Sequence, residues 1–142
     1  MVVNRAARHE YEIVDRFEAG LALLGSEVKS LRGGRGNLKE AFVRLDGREA
    51  FLVGCHISPY PWANRENHDP TRQRKLLLNR SELLKLKRGT AEKGMTVVPL
   101  RLYLKGSKIK LEIALARGRK SHDKRQAIKE RDAQREMSRD RE

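Results

Sequence analysis

The alternation of apolar and polar residues along the chain predicts a series of short β-strands. Tyr11, Ile13 and Phe17 fall on one face of an extended segment, as expected for a strand with one buried side. The Glu18-Ala19-Gly20 sequence then permits a bend, because glycine tolerates positive φ. An extended apolar run resumes over residues 21–24. The pattern therefore predicts a first strand that is interrupted near Gly20.

Two later pairs of strands carry the signals of β-hairpins. The segments 41–45 and 50–53 are separated by Asp46-Gly47, a strong short-range hairpin signal. The segments 96–104 and 108–116 are joined at Lys105-Gly106-Ser107, and apolar residues alternate with polar ones along the second of them. Alternation of this kind favours an antiparallel sheet with one buried face.

Two short helices and one long loop complete the predicted elements. Ser26 is a candidate cap for a helix over 27–31, with Gly33-Gly34 as its end. A second helix is expected over 81–86, with a stop at Gly89 or Gly94. The proline-containing segment 58–74 is predicted to be a loop, and loops of this length are often functional.

These elements predict a mainly β fold with short α-helices, arranged as a closed or nearly closed antiparallel barrel. Residues 1–10 are read as a short basic arm, which orders only against a partner. Residues 11–116 then form the barrel domain, and residues 117–142 form a charged tail.

Composition limits the chain to one domain and indicates its partner. At 142 residues and 38% hydrophobic content the chain can build one core. Its net charge of +13 favours a polyanion, although a solvated surface or an anionic membrane are alternatives. The single cysteine, Cys55, excludes an internal disulfide, and the apolar runs are too short to cross a membrane. We therefore expect a cytoplasmic protein that binds nucleic acid. We also expect it to be a monomer.

The charged tail is expected to be disordered on its own. Residues 117–142 hold ten basic and six acidic side chains with few apolar ones, too little to offset the entropy of ordering. Helix-favouring residues nevertheless dominate it, and Arg131, Arg135 and Arg139 would form one row on a helix. A polyanionic groove would neutralise that row, whereas a tail that only solubilises the protein is the alternative.

No group of residues matches a catalytic or metal-binding pattern. The pair Cys55-His56 with His68-Asp69 has the wrong spacing for zinc, and the glycines do not form a phosphate-binding loop. We therefore expect no enzyme activity, no metal and no cofactor. With only seven aromatic residues in the chain, recognition of folded RNA by its shape, phosphates and 2′-hydroxyls is favoured over base stacking.

The chain closely resembles the bacterial small protein B family, which binds transfer-messenger RNA (SsrA RNA). The resemblance covers nearly the whole chain in order. Its stretches are NRAARHEY (4–11), FEAG (17–20), EVKSLR (27–32), NHDPTRQRKLLLN (67–79), VVPL (97–100), residues 114–125, residues 129–132 and Arg135-Glu136.

This resemblance implies an oligonucleotide-binding (OB) type barrel that holds the transfer-RNA-like end of transfer-messenger RNA. In the family the protein takes the place of an anticodon arm in the decoding site of stalled ribosomes. It reaches them with elongation factor Tu, which it contacts only through the aminoacylated RNA. Translation then resumes on the tag-coding part of the RNA.

The resemblance and the charge pattern together predict the RNA-binding residues. By the family pattern Asn4, Glu18, Leu77 and Asn79 match positions that hold the RNA, although the apolar triplet around Leu77 leaves a core position open. Glu18 cannot pair with phosphate, so it would accept from a base or 2′-hydroxyl or orient a nearby Arg. Basic residues added on charge alone are Arg5, Arg32, Lys39, Arg72, Arg74 and Lys75.

The tail matches the family segment that engages the ribosomal decoding region and the empty message channel. A histidine can stack on a base, and the Lys and Arg side chains can contact phosphates. The residues predicted to contact the ribosome are Gly118, Lys120, His122, Asp123, Lys124, Arg125, Lys129, Arg131 and Arg135. A structural or assembly protein bound to ribosomal RNA is the main alternative, and a small nuclease is another.

Overall fold

The computed structural model describes residues 1–62 and 67–119. In this part of the chain the strands are β1 (Val2–Val3), β2 (Tyr11–Leu21), β3 (Gly36–Asn37), β4 (Phe42–Asp46), β5 (Glu49–Val53), β6 (His56–Ile57), β7 (Arg74–Leu77), β8 (Met95–Lys105) and β9 (Lys108–Gly118). The helices are α1 (Ala7–Glu10), α2 (Gly25–Arg32) and α3 (Arg80–Thr90). None of these helices is long and apolar enough to cross a membrane.

Seven strands form one antiparallel sheet in the order β1-β8-β9-β2-β7-β5-β4, and β3 pairs with β6 in a separate ribbon. The predicted antiparallel, mainly β fold with short helices is therefore confirmed. The sheet curls so that β4 lies close to β8. Within the described residues, however, no hydrogen-bonded pairing joins β1 to β4, so the barrel stays open between these edge strands.

The expected break in the first strand does not occur. Strand β2 runs through Gly20 without interruption, because Gly20 is paired on one side with Leu77 of β7 and on the other with Lys110 of β9. The irregularity lies earlier, where the register with β9 shifts between Ile13 and Asp15. Two flanking ladders hold Gly20 extended, although an isolated glycine would be free to bend.

Both predicted hairpins are confirmed. Strands β4 and β5 are joined through Gly47, and β8 and β9 through Gly106. Each glycine is the first of two loop residues and has positive φ, +59° at Gly47 and +63° at Gly106. This is the position at which a two-residue hairpin turn requires glycine.

The first predicted helix forms with a different N-terminal contact from the one expected. The backbone N–H of Leu24 donates to a carboxylate oxygen of Glu27 at 2.8 Å, so the first turn of α2 is closed from within the helix. The Ser26 hydroxyl instead lies 2.8 Å from Nδ1 of His68 in the long loop. Ser26 therefore joins α2 to that loop and does not cap the helix.

The second helix begins at an asparagine cap and ends at Thr90, one residue after Gly89 and before Gly94, the two predicted stops. The side chain of Asn79 accepts a hydrogen bond from the backbone N–H of Glu82 at 2.8 Å. Helix α3 passes through Gly89 because it packs against β9 there. A Cβ at Gly89 would lie 2.3 Å from Cδ2 of Leu115, so this position requires glycine for close packing rather than for a turn.

The first ten residues are packed on the sheet rather than extended as an arm. Strand β1 pairs with β8, and the backbone N–H of Asn4 donates to the carbonyl of Leu100. Val2 and Ala7 are buried, and Ala7 lies in a small apolar cluster with residues of β8 and β9. The basic composition of this segment gave no indication that Val2 and Ala7 pack against the sheet.

A buried ion pair links α2 to strand β7 of the sheet. Both Glu27 and Arg74 are completely buried, and Nε of Arg74 donates to Oε2 of Glu27 at 2.6 Å. The remaining Arg74 nitrogens donate to the carbonyls of Cys55 and Pro70. The other oxygen of Glu27 accepts from Arg72. Helix α2, strand β7 and the long loop are thereby fixed to one another.

Burial alone would raise the pKa of the Glu27 carboxyl. Hydrogen bonds from Arg72, the Leu24 backbone and Arg74 more than offset this, so the pKa lies below its ordinary value of 4.5. Glu27 is therefore ionised at neutral pH, and its charge is compensated by two guanidinium groups.

We predict that Glu27→Gln lowers the free energy of unfolding by about 3 kcal/mol, because it leaves the Arg74 guanidinium buried without an anionic partner. Urea denaturation followed by circular dichroism measures this. The matched control is Glu92→Gln, since the Glu92 pair with Arg117 is exposed. That control should change stability by less than about 1 kcal/mol.

The pKa of Glu27 is depressed, so its contribution to stability is present above pH 4.5 and is lost as pH falls through the folded-state value. A difference between wild type and Glu27→Gln that stays constant on acidification would contradict the assignment.

Candidate nucleic-acid interface

The solvent-facing side of the sheet brings together residues from four strands. Leu77 is paired with Gly20, Gly20 with Lys110, and Lys110 with Tyr103, so these positions form one row across β7, β2, β9 and β8. Alternation along each strand puts further residues on the same side. We call this the outer face, consisting of Glu18, Leu77, Arg101, Tyr103, Lys105 and Lys110.

Glu18 holds two neighbouring side chains of the outer face. Its carboxylate accepts hydrogen bonds from the Tyr103 hydroxyl and from Nζ of Lys105, the latter at 3.0 Å. The hydrogen bonds from Tyr103 and Lys105 lower the pKa of Glu18. Partial burial, together with the hydrogen bond to Glu18, raises the pKa of Tyr103 to about 12. Glu18 is thus an anion that orients a protonated tyrosine and a lysine. Of the two roles expected from the sequence, the orienting role falls to these residues and not to an arginine, and acceptance from a base or 2′-hydroxyl stays a prediction.

A second group of charges surrounds the same tyrosine. The guanidinium of Arg101 lies over the Tyr103 ring, 4.4 Å from its centroid. Glu112 pairs with Arg101 at 3.5 Å and with Arg16 at 3.3 Å. Sequence reasoning missed Arg101 and Tyr103, although their alternation with buried Leu102 along a predicted strand is the signal that could have found them.

Leu77 is on the surface and not in the core. Its side chain is 54% exposed, whereas the preceding Leu76 is 3% exposed and lies in the core. Leu77 packs over Gly20, where an added Cβ would lie 3.1 Å from the Leu77 Cβ. The alternative that Leu77 is a core residue is therefore excluded, and an apolar side chain borders the charged part of the outer face.

The two predicted asparagines both have structural partners. Nδ2 of Asn4 donates to the carbonyl of Pro99 at 2.8 Å. Oδ1 of Asn79 accepts from the backbone of Glu82 and from the Ser81 hydroxyl. Asn4 therefore fixes the N-terminal segment to β8, and Asn79 starts the helix that follows Leu77.

The prediction that Arg74 contacts RNA is wrong. Its guanidinium is completely buried and donates only to groups inside the protein. Arg72 is partly exposed, but one nitrogen donates both to Glu27 and to the carbonyl of Ala22. Both arginines hold the fold together, and charge along the sequence could not distinguish them from surface cations.

The remaining predicted cations of the domain are on the surface at separate places. Arg5 and Lys39 are exposed. Arg32 at the end of α2 donates to the carbonyl of Ser107 in the β8–β9 turn at 3.2 Å, and Lys75 pairs with Glu49 at 3.4 Å. Lys75 lies two positions before Leu77 on the same exposed side of β7, and Arg32 contacts the turn that follows Lys105.

The start of the predicted tail belongs to the sheet. Gly118 ends β9 and is paired with Tyr11, and the backbone N–H of Arg119 donates to the carbonyl of Glu10 at 2.9 Å. The domain thus extends beyond the predicted boundary at residue 116. The other predicted tail residues lie outside the described residues, namely Lys120, His122, Asp123, Lys124, Arg125, Lys129, Arg131 and Arg135.

The histidine and cysteine of the rejected zinc pattern have other roles. Nε2 of His68 lies 2.8 Å from the carbonyl of Ile57, and its Nδ1 faces Ser26. Burial raises the pKa of the Cys55 thiol to about 11. Among residues 1–62 and 67–119, no group of three or more His, Cys, Asp or Glu side chains is placed to hold a metal ion.

A basic antiparallel sheet with a half-buried tyrosine, several cations and an apolar border defines a protein of the nucleic-acid-binding class. The model of the SmpB protein family matches residues 1–142. The chain belongs to the SmpB family.

Similar proteins include the SsrA-binding protein of Syntrophotalea carbinolica. It is 55% identical over 136 residues, which are 96% of this chain and 91% of the relative. The SsrA-binding protein of Persephonella marina is 51% identical over 138 residues, 97% of this chain and 91% of that protein.

A solved structure supports the same fold. It is described as "tmRNA-SmpB: a journey to the center of the bacterial ribosome". The TM-score is 0.71 and the sequence identity is 42%, with coverage of 89% of this chain and 92% of the other.

Two adjacent leucines allow a matched test of how the outer face is built. We predict that Leu76→Ala lowers the free energy of unfolding by about 2–5 kcal/mol, because it opens a cavity in the core. Leu77→Ala should change it by less than about 0.5 kcal/mol, as expected for a surface position. Thermal and urea denaturation measure both. Equal losses would mean that Leu77 is not an exposed residue in solution.

Proposed function

We propose that this chain binds SsrA RNA, the transfer-messenger RNA, through the outer face and acts with it on the ribosome in trans-translation. The observation that carries the proposal is the grouping of Glu18 and Leu77 with Arg101, Tyr103 and Lys105 on one exposed surface. Proteins whose sequences are 55% and 51% identical to this chain over most of its length are SsrA-binding proteins. Its role is that of an RNA-binding adaptor rather than of an enzyme, and we place it in the cytoplasm.

The chemistry of the outer face suits folded RNA. Arg101 and Lys105 supply positive charge for phosphates, and the Tyr103 hydroxyl and Glu18 carboxylate can exchange hydrogen bonds with a 2′-hydroxyl. Leu77 offers an apolar surface to a ribose or a base next to them. Because Glu18 already holds Tyr103 and Lys105 in place, less side-chain entropy is lost on binding.

The finer steps of the proposed role concern the ribosome. The domain on its RNA would occupy the place of an anticodon arm in the decoding site, and elongation factor Tu would take part through the aminoacylated RNA. The segment from Lys120 onward, including His122 to Arg125 with Lys129, Arg131 and Arg135, would bind ribosomal RNA in the decoding region. Arginine and lysine at this density suit phosphate contacts. The protein would act as a monomer.

We predict that Lys105→Ala weakens binding of SsrA RNA and lowers the slope of log affinity against log salt concentration by about 1, because one phosphate contact is lost. Gel-shift titrations over a salt series measure both quantities.

Lys93→Ala is the matched control for this lysine, since Lys93 is also exposed but follows α3, away from the outer face. It should leave the slope unchanged. Ribosomal RNA fragments serve as the competing ligand. Tighter binding of those fragments than of SsrA RNA would favour a ribosomal structural or assembly protein instead.

We predict that a chain ending at Arg119 binds SsrA RNA normally but fails to tag peptides on stalled ribosomes. The cut follows Arg119 because β9 continues to Gly118 and the backbone of Arg119 bonds to Glu10. Tagging is measured in a reconstituted translation reaction with a message lacking a stop codon. Normal tagging by the shortened chain would refute a functional tail.

A further inference from the structure

An aromatic pair of half-buried Tyr60 and exposed Trp62 lies beside α2, outside the outer face. The rings of Tyr60 and Trp62 meet edge to face, with centroids 5.3 Å apart and planes inclined at 61°. Trp62 is 71% exposed, the largest exposure among the large hydrophobic side chains that the described residues leave on the surface. Tryptophan and tyrosine are enriched at interfaces, because each combines a large apolar ring with a polar N–H or O–H group.

Each ring of the pair is accompanied by a cation. Nζ of Lys29 lies 5.5 Å from the centroid of Tyr60, and the guanidinium of Arg35 lies 5.3 Å from the centroid of Trp62. Both distances are within the range of cation–π attraction. Two positive charges therefore border an exposed aromatic surface of about one base in size. We call these four residues the aromatic platform: Lys29, Arg35, Tyr60 and Trp62.

The loop that carries the aromatic platform is held in place by its own hydrogen bonds. The Asn67 side chain accepts from the backbone N–H of Tyr60 at 3.2 Å and donates to the Tyr60 carbonyl at 2.9 Å. The backbone N–H of Ser58 donates to the carbonyl of Arg35 at 2.9 Å. Tyr60 and Arg35 are thus positioned by the fold, before any ligand is bound.

The aromatic platform and the outer face are connected by positive charge. Lys29, Arg32 and Arg35 follow one another at and after the end of α2. Arg32 donates to the carbonyl of Ser107, between Lys105 and Lys108 in the β8–β9 hairpin. An RNA strand that follows this row of cations would pass from the outer face to Trp62.

We propose that the aromatic platform binds an unpaired nucleotide of an RNA, with the base stacked on Trp62 and its flanking phosphates beside Lys29 and Arg35. A flat π-surface next to two cations matches a ligand that has both a π-face and negative charge. An apolar protein side chain would cover the ring and leave both cations without a partner. The site adds base stacking to the shape recognition that composition favours, and it does not depend on which RNA the outer face holds.

Trp62 is the only tryptophan of the chain, so its fluorescence reports on the site directly. Wild-type protein is titrated with a short oligoadenylate, a blunt RNA duplex, SsrA RNA and ribosomal RNA fragments. We expect saturable quenching by oligoadenylate and little by the duplex. Arg35→Ala and Lys29→Ala should each weaken the oligoadenylate titration and lower its salt slope by about 1, whereas Lys93→Ala should not. Equal quenching by duplex and oligoadenylate, or no effect of either platform variant, would overturn the proposal.

Substitutions of the tryptophan itself are measured with a fluorescently labelled oligoadenylate. Trp62→Leu should weaken binding about tenfold, and Trp62→Phe by less, since an aromatic face still stacks. Circular dichroism checks that both variants fold. Equal binding by Trp62→Leu and wild type would refute the stacking site.

Titrations with the different RNAs test the aromatic platform and the proposed function independently. Quenching by SsrA RNA places the nucleotide in that RNA, and quenching by ribosomal fragments alone places it in the ribosome. If SsrA RNA binds in gel shifts but neither RNA quenches Trp62, the platform is refuted and the proposed function stands. If oligoadenylate and ribosomal fragments quench Trp62 while SsrA RNA fails to bind, the platform stands and the proposed function fails.

Discussion

The buried ion pair between Glu27 and Arg74 is the interaction on which the rest of the structure depends. Arg74 opens β7, so its position sets where Leu77 meets Gly20 on the outer face. Through the carbonyl of Pro70 it also fixes the end of the long loop. Glu27 closes the first turn of α2, the helix that carries Lys29. Removing either charge would leave the other uncompensated in a medium of low polarity. Because Arg74 positions β7 and Glu27 positions α2, the outer face and the aromatic platform both depend on this one ion pair.

Local sequence signals correctly predicted the elements that are determined by residues close together in the sequence. Asp46-Gly47 and Gly106-Ser107 fix their hairpins because a two-residue loop needs glycine at positive φ, whatever surrounds it. The bend predicted at Gly20 was wrong, and the close packing at Gly89 was not predicted, because both roles depend on neighbours distant in sequence. Gly20 is extended between two ladders, and Gly89 makes room for Leu115. A glycine alone does not reveal whether it serves a turn or a close contact.

The candidate site was only partly predictable for a related reason. The family pattern identified Glu18 and Leu77, and the sheet register places them on one surface. Charge suggested Arg74 as well, yet that guanidinium lies inside the protein. The sequence shows that a residue is cationic, but whether its side chain is buried depends on how the chain packs. Tyr103 was not predicted because its hydroxyl donates a hydrogen bond to Glu18, which lies 85 positions earlier in the chain.

Glu18 and the neighbouring Glu112 position the cations on and beside the outer face. Glu18 and Glu112 are directly opposite each other on β2 and β9, a placement that is unfavourable for two like charges. Each is compensated by its own partners, Lys105 with Tyr103 for Glu18, and Arg16 with Arg101 for Glu112. These exposed pairs are individually weak because solvent screens them, so a phosphate can take over the cations at little cost. The carboxylates thus space and orient the cations without holding them too tightly for exchange.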